Sequence, residues 1–195
     1  MVIAYRTGES FTGFLRRRKV RQSMRTKKPR SQKKVPRFTI RPFRRTDLDY
    51  VINGQLALYA EEYGFTSDIW IAYLTGGVRT FAEKFDSARD CMYIAEHNRV
   101  PCGCIAITHA DATTAQLRFY FMEKDLRGNG AGRRLISRAI GFCRDAKYER
   151  VFLWTFSTLD AARHLYEEKG FRITDTHVNN EWGGQILEEK WELEL

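Results

Sequence analysis

The stretch DLRGNGAGRRL, residues 125–135, sets three glycines at alternate positions 128, 130 and 132, with Arg127 before them and Arg133 and Arg134 after. Gly-Asn-Gly is good turn chemistry, and a turn must join whatever precedes Asp125 to whatever follows. A plain turn gives no reason for three glycines, since each costs roughly 0.5–1 kcal/mol of backbone entropy relative to alanine. Downstream, Leu135, Ile136, Ala139, Ile140 and Cys143 share one helical stripe, while Arg133, Arg134, Arg138 and Arg144 occupy other faces. Upstream, TTAQLRFYFM (113–122) is rich in Thr and aromatics and reads as a strand. The loop is therefore a strand-to-helix turn whose glycines bare the first amides of a helix. Such amides attract phosphate, and glycine lets it come close.

Two phosphate loops of other kinds do not fit. A P-loop needs a Lys-Ser/Thr pair, and none follows these glycines. The Gly-x-Gly-x-x-Gly dinucleotide fingerprint fails in both frames, its last position being Arg133 counted from Gly128 and Leu135 counted from Gly130. The spacing that fits is Gln/Arg-x-x-Gly-x-Gly/Ala, read as Arg127, Gly128, Asn129, Gly130, Ala131 and Gly132.

Working outward, FTIRPF reads as a short strand ended by Pro42. Thr46 and Asp47 can cap a helix running from Leu48 towards Glu62 and stopping near Gly64. A second helical stretch, Asp68 through Phe85, is expected to be interrupted or divided at Gly76-Gly77. CMYIAE (91–96) and VPCGCIAIT (100–108) form a hairpin about His97-Asn98, with 113–122 as the next strand. RVFLWTF (150–156), a helix over about 159–169, FRITDTH (171–177) and EKWELEL follow. Adjacent strands imply an antiparallel block, and the strand–helix–strand unit around the loop implies parallel neighbours. The fold class is thus mixed α/β, with the glycine loop at the carboxyl end of a strand, where such sheets bind ligands.

A second signal lies in STLDAARHLYEEKGF, residues 157–171. Ser157 and Asp160 have capping-box spacing, Ala162, Leu165 and Tyr166 share a face, and Gly170 suits a left-handed helix end. On the residues alone, Tyr166 is a core aromatic. Together, however, the two motifs resemble the pyrophosphate loop and the tyrosine helix of the GNAT superfamily of N-acetyltransferases. The match on the helix runs through Ala162, Leu165, Tyr166, Glu167, Gly170 and Phe171. The likeness spans Phe38 to Leu195, and with FTIRPFRRTDL opening it and WELEL closing it, it is most similar to the acetyltransferase domain of MarR-type regulator–GNAT fusions. In those a winged helix-turn-helix domain comes first; here the basic tail does, and repressor function is not carried over.

The resemblance implies a mixed, mostly antiparallel twisted sheet of six to seven strands flanked by about four helices. It implies acetyl-coenzyme A as cosubstrate, no metal, and a small-molecule or peptide amine as acceptor. The amides from Gly128 to Arg133 (hence Asn129, Gly130, Ala131 and Gly132) would hold the pyrophosphate, with Arg127 opening the loop and Arg133 or Arg134 reaching the nucleotide phosphates. The main chain of Tyr120, Phe121 and Met122 would pair with the pantetheine arm, and a backbone N–H there would polarise the thioester carbonyl. Tyr166 would protonate the departing thiolate. Two positions depart from the family pattern: Leu159 stands where an Asn is frequent, and Lys124 where a Pro is common. The resemblance singles out no general base; Glu123 adjoins the strand end and reads equally as a solvated group, while Glu61 and Glu62 are candidates to bind a cationic amine on the acceptor wall, with a solvated helix end as the leading reading. His109 and His164 read as surface or edge histidines.

The net charge of +9 is unevenly spread. Residues 1–37 carry +12 and residues 38–195 carry −3. The 1–37 segment is expected to be a disordered basic tail, and residues 38–195 the acetyltransferase domain. Three readings of the tail stand side by side: a nucleic-acid or anionic-surface tether, a targeting peptide, and a solvated extension with Met24 as a candidate later start; the last leads. Cys91, Cys102, Cys104 and Cys143 show no zinc-like spacing and read as small buried thiols in a reducing cytoplasm. No apolar run approaches the roughly 20 residues needed to cross a membrane. The competing function is a coenzyme A-binding regulatory or nucleic-acid-associated module with little transfer activity.

Overall fold

The computed structural model describes residues 36–182 and 184–195, so the expectations for the 1–37 tail fall almost wholly outside the described residues. The strands are β1 (Phe38–Pro42), β2 (Cys91–His97), β3 (Val100–His109), β4 (Thr114–Met122), β5 (Arg150–Phe156), β6 (Arg172–Asn179) and β7 (Ile186–Glu194). The helices are α1 (Leu48–Tyr63), α2 (Asp68–Glu83), α3 (Ala131–Asp145) and α4 (Asp160–Glu168). The strands form one sheet in the order β1-β2-β3-β4-β5-β7-β6. Every neighbouring pair is antiparallel except β4 and β5. This is the mixed α/β fold that the sequence implies.

Both faces of the sheet are covered, which is why its central strands read as near-continuous apolar runs. Cys91, Tyr93 and Ala95 of β2 face a core shared with α3, to which Leu135, Ile136, Ala139, Ile140 and Cys143 contribute as the stripe requires. Met92 and Ile94 face the opposite core, built with Val51 of α1 and Trp70, Leu74, Val78 and Phe81 of α2. All four cysteines are buried free thiols, as expected. Burial pushes the Cys91 and Cys143 thiols up to about 12. The β2–β3 turn places Asn98 and Arg99 at φ 53° and 66°, the paired positive values of a tight hairpin whose twist matches its strands.

Three local expectations are corrected. Helix α2 is continuous through Gly76-Gly77. Two glycines cost roughly 2 kcal/mol of helix propensity, less than the burial of Trp70, Leu74, Val78 and Phe81 returns. Asp47 does not bond an amide of α1. Its buried carboxylate instead takes Arg41 Nη1 at 2.7 Å, Arg41 Nη2 at 2.8 Å and the Arg44 N–H at 2.7 Å, tying β1 to the head of α1. Ser157 does not cap α4: its N–H donates to Leu187 O, and the helix starts after Leu159 with no side-chain cap.

What matters for function is an opening in the sheet. Strands β4 and β5 pair only from Thr114–Gln116 to Arg150–Phe152, though both run on. On the other edge of β4 the register with β3 shifts between Cys104 and Ala106, and Phe119 takes φ +51°, a β-bulge. The extra residue increases the local twist and turns the end of β4 away from β5.

Gly103 holds β3 tight against that end. A Cβ there would lie 2.7 Å from Phe121 O and against the Met122 sulfur. Gly103→Ala is expected to destabilise the protein by about 1–3 kcal/mol through overpacking. That lowers the melting temperature by roughly 2–4 °C per kcal/mol, readable by circular dichroism.

Candidate acyl-transfer site

From Leu117 to Met122 one edge of β4 carries no strand. The parted strands are flanked by two cavities. A larger one, 530 Å³, is lined by the glycine loop, the start of α4 and the end of β4. A smaller one, 110 Å³, lies towards α1, α2 and β7. Tyr59, Tyr120, Leu159 and Ala162 line both, so the two meet across the gap.

The loop has the form that its glycines predict. Gly128 and Gly130 take φ 74° and 83°, a conformation that side chains with a Cβ rarely adopt, and nothing lies within 4 Å of where a Cβ would stand. The first intrahelical bond of α3 runs from Arg134 N–H to Gly130 O at 3.1 Å. The amides of Ala131, Gly132 and Arg133 therefore have no intrahelical acceptor, which is the anion-binding arrangement of a helix N-terminus. Asn129 does not face the cavity with its side chain; its Nδ2 closes the turn on Leu126 O and Arg127 O.

The arginines that flank the loop act as braces. Arg127 donates from Nε to Met122 O at 2.9 Å and from Nη1 to Glu62 Oε2 at 2.7 Å. That guanidinium holds the Glu62 carboxyl below its ordinary range. Arg133 donates to Glu168 on α4 at 2.7 Å, and Arg134 to Phe38 O on β1 at 3.0 Å. Arg127 and Arg133 still line the larger cavity, but both arrive already paired, whereas Arg134 points to β1. The attraction for anions thus falls mainly on the bare amides.

The remaining sequence-derived residues divide. Tyr120 and Met122 line the larger cavity, and Gly132 approaches so near that a Cβ would lie 2.6 Å from the Tyr120 hydroxyl. The Phe121 side chain turns to the opposite face, its ring 5.7 Å from that of Tyr50. Tyr166 is 4% exposed and borders the smaller cavity, packed among Tyr120, Phe171 and Trp191. Burial and the neighbouring Tyr120 push its hydroxyl well above the usual tyrosine range. Of the acidic candidates, Glu61 pairs with Lys124, Glu62 with Arg127, and Glu123 accepts from Tyr50 at 3.4 Å; none lines either cavity. His109 binds Asp90 on β2's flank, while His164 borders the larger cavity from α4.

Sequence reasoning missed the smaller cavity's polar groups: Gln55, Trp70, Arg118 and Glu188. Glu188 is 5% exposed, its carboxylate 2.7 Å from His177 Nε2, and burial raises its pKa. Nothing in one sequence marks them, because α1, α2, β4 and β7 come together only in the fold. Among the described residues no cluster of metal-ligating side chains occurs. No helix there is long and apolar enough to cross a membrane.

A sheet parted between two strands, with bare helix amides at the mouth of the gap, defines a site for a slim ligand bearing phosphate at one end. Comparison with known proteins gives this class a family. The sequence profile of the "Acetyltransferase (GNAT) family" matches residues 55–171, more than half of the chain. The chain belongs to that family. An amino-acid acetyltransferase of Mycobacterium tuberculosis is 30% identical over 81 residues, 39% of this chain and 45% of that enzyme, so the match spans less than half of the relative. Among solved structures, a GNAT-family acetyltransferase from Streptococcus pneumoniae has a TM-score of 0.65 at 21% identity, over 82% of this chain and 100% of that one. An acetyltransferase from Salmonella typhimurium, solved with its cofactor acetyl-CoA, has a TM-score of 0.66 at 16% identity, over 81% and 94%.

Gly130→Val puts a β-branched side chain at φ +83° beside the bare amides. The variant is expected to keep the parent's circular dichroism spectrum while binding coenzyme A at least tenfold more weakly by calorimetry. Unchanged affinity would make the loop a mere turn.

Proposed function

We propose that this protein is an N-acetyltransferase that moves an acetyl group from acetyl-coenzyme A to a primary amine by direct attack in a ternary complex. The observation that carries the reading is the pair of cavities meeting at the parted strands, one headed by bare amides and the other by polar side chains. The fold shared with an acetyltransferase solved with acetyl-CoA supports it. The coenzyme supplies a thioester, with a polarisable carbonyl and a sulfur that can leave.

In this reading the amides of Gly128, Asn129, Gly130, Ala131, Gly132 and Arg133 hold the pyrophosphate, each charge-assisted bond contributing roughly 1.5–3 kcal/mol. Tyr120 and Phe121 offer the pantetheine arm the unpaired backbone edge of β4. Met122, whose carbonyl is already held by Arg127, anchors that edge. Glu188 takes the proton from the amine and hands it through His177, which is half exposed, to solvent. As the new C–N bond forms and the C–S bond breaks, Tyr166 gives its proton to sulfur and recovers one from solvent. Its raised pKa keeps that proton in place until it is needed. The MarR-type likeness remains part of this reading, as do a cytoplasmic setting and a small-molecule or peptide amine as acceptor. If thiol release with acetyl-coenzyme A is absent across a broad panel of amines, the coenzyme A-binding regulatory module is the better account.

Tyr166→Phe removes one hydroxyl from a packed site, so acetyl-coenzyme A affinity is expected to hold. General acids contribute about 10²–10⁴-fold, and a thiolate is a fair leaving group unaided, so kcat is expected to fall by roughly tenfold to a few hundredfold. Parental kcat would return Tyr166 to a packing role.

Glu188 titrates above its ordinary pKa and is protonated below it, so it can accept a proton only at higher pH. The parent's kcat/KM is expected to fall on the acid side as this carboxylate protonates. Glu188→Gln is expected to lower kcat/KM about 10²-fold near neutrality. It should also remove that acid limb, with recovery where the free amine deprotonates by itself. A pH–rate profile on any accepted amine checks this.

A further inference from the structure

The smaller cavity contains a charge that the fold does not neutralise. The bulge at Phe119 turns two consecutive side chains, Arg118 and Phe119, to the same face of β4. Arg118 lies with its guanidinium carbon 4.7 Å from the Phe119 ring centre and reaches α2 at Gly77, where a Cβ would lie 2.9 Å from its Nη2. Among the described residues it makes no hydrogen bond and no ion pair, although it is only partly exposed. A guanidinium withdrawn from water without a counterion is costly. Phe119 offers only a cation–π contact.

Two further groups in the same cavity are incomplete. Trp70 Nε1 and Gln55 Oε1 are buried and have no hydrogen-bond partner among the described residues, in residues 3% and 5% exposed. Buried polar atoms of this kind cost roughly 1–3 kcal/mol each when unpaired. The cavity thus holds one cation unpaired among the described residues, Arg118 from β4 at Gly77 of α2, and two acceptors, Gln55 of α1 and Glu188 of β7; Trp70 lies two turns of α2 from Gly77, its ring 5.0 Å from that of Tyr59 on α1. A ligand that completes the cavity carries a negative group for Arg118 and a protonated amine for the acceptors.

We propose that the acceptor is an amino acid whose carboxylate binds Arg118 while its ammonium faces Gln55 and Glu188. This rests on the acetyl-transfer reading above and adds the chemistry of its second substrate. Arg118 is then a specificity-determining residue: it holds the acceptor so that its nitrogen lies at the junction lined by Tyr59, Tyr120, Leu159 and Ala162. The aromatic walls formed by Tyr73, Phe156 and Trp182 accommodate an apolar side chain of the amino acid.

The test uses the full chain and matched probes: the twenty free amino acids and their carboxamides, which keep the amine and lose the negative charge. Thiol release from acetyl-coenzyme A is expected to give at least one amino acid a kcat/KM tenfold or more above that of its amide. Arg118→Ala should raise KM for that acid at least tenfold, while leaving the amide's kcat/KM and the coenzyme A affinity within twofold. Arg118→Lys should recover part of the loss. A parent that prefers amides, or a variant that loses both substrates equally, overturns the proposal. A second readout separates it from the reading beneath it. Trp70, Trp154 and Trp182 border the cavity, so a bound amino acid should change tryptophan fluorescence of the coenzyme A-loaded protein. If no amine is acetylated yet amino acids alter fluorescence in an Arg118-dependent way, acetyl transfer fails and the binding site stands. If amines are acetylated with no Arg118 dependence and no fluorescence response, this inference alone falls.

Discussion

Strands β4 and β5 hold each other over three residue pairs and then part, and the parting is enforced from both sides. The bulge at Phe119 twists β4 away, while β5 is fixed on its far edge by pairing with β7 from Arg150 to Phe156. The backbone groups left facing the gap would ordinarily be satisfied by a neighbouring strand. Leaving them unpaired inside a sheet costs roughly 1–3 kcal/mol for each buried group, unless something else supplies partners. A ligand with amide groups along a slim chain can do so, and that makes the gap a site rather than a defect. The glycine loop, the tyrosine helix and the smaller cavity all take their meaning from this opening.

The surroundings of the loop show how charge and geometry are separated. Three arginines cluster around it, yet Arg127 and Arg133 are bound to glutamates and Arg134 to a carbonyl. Their effect is to fix the loop to β1, β4, α1 and α4, so that the amides are aimed before any anion arrives. Preorganised donors lose little on binding, whereas freely moving side chains would have to be ordered first. The smaller cavity is arranged in the opposite way, with Arg118 unpaired among the described residues.

Much of this was legible in the sequence, and the reasons differ by element. The stripe from Leu135 to Cys143 and the alternate glycines are local patterns, and α3 with its loop follows them. The left-handed Gly170 at the end of α4 is equally local. Gly76-Gly77 misled because propensity is a weak local term that burial of Trp70, Leu74, Val78 and Phe81 outweighs. Ser157 misled because β7 takes its backbone N–H before it can act as a cap. The polar groups of the smaller cavity were not legible at all. Arg118 sits in an ordinary strand alternation, and only the bulge turns it beside Phe119. Glu188 is one of two adjacent glutamates in β7, and only the sheet decides that one meets His177 while the other meets Arg163.

The strand order has a consequence for how the chain acquires its site during synthesis. Strand β7 lies between β5 and β6, although it follows both along the chain. Until it emerges from the ribosome, β6 has no partner and β5 presents a bare edge. The part from β4 through α4, with the glycine loop, can therefore pack before Glu188 takes its place in the sheet. The wall that carries Glu188 closes last, by insertion of a strand into an interior position, a non-local step of the kind that folds slowly. The larger cavity is thus framed before the smaller one is walled.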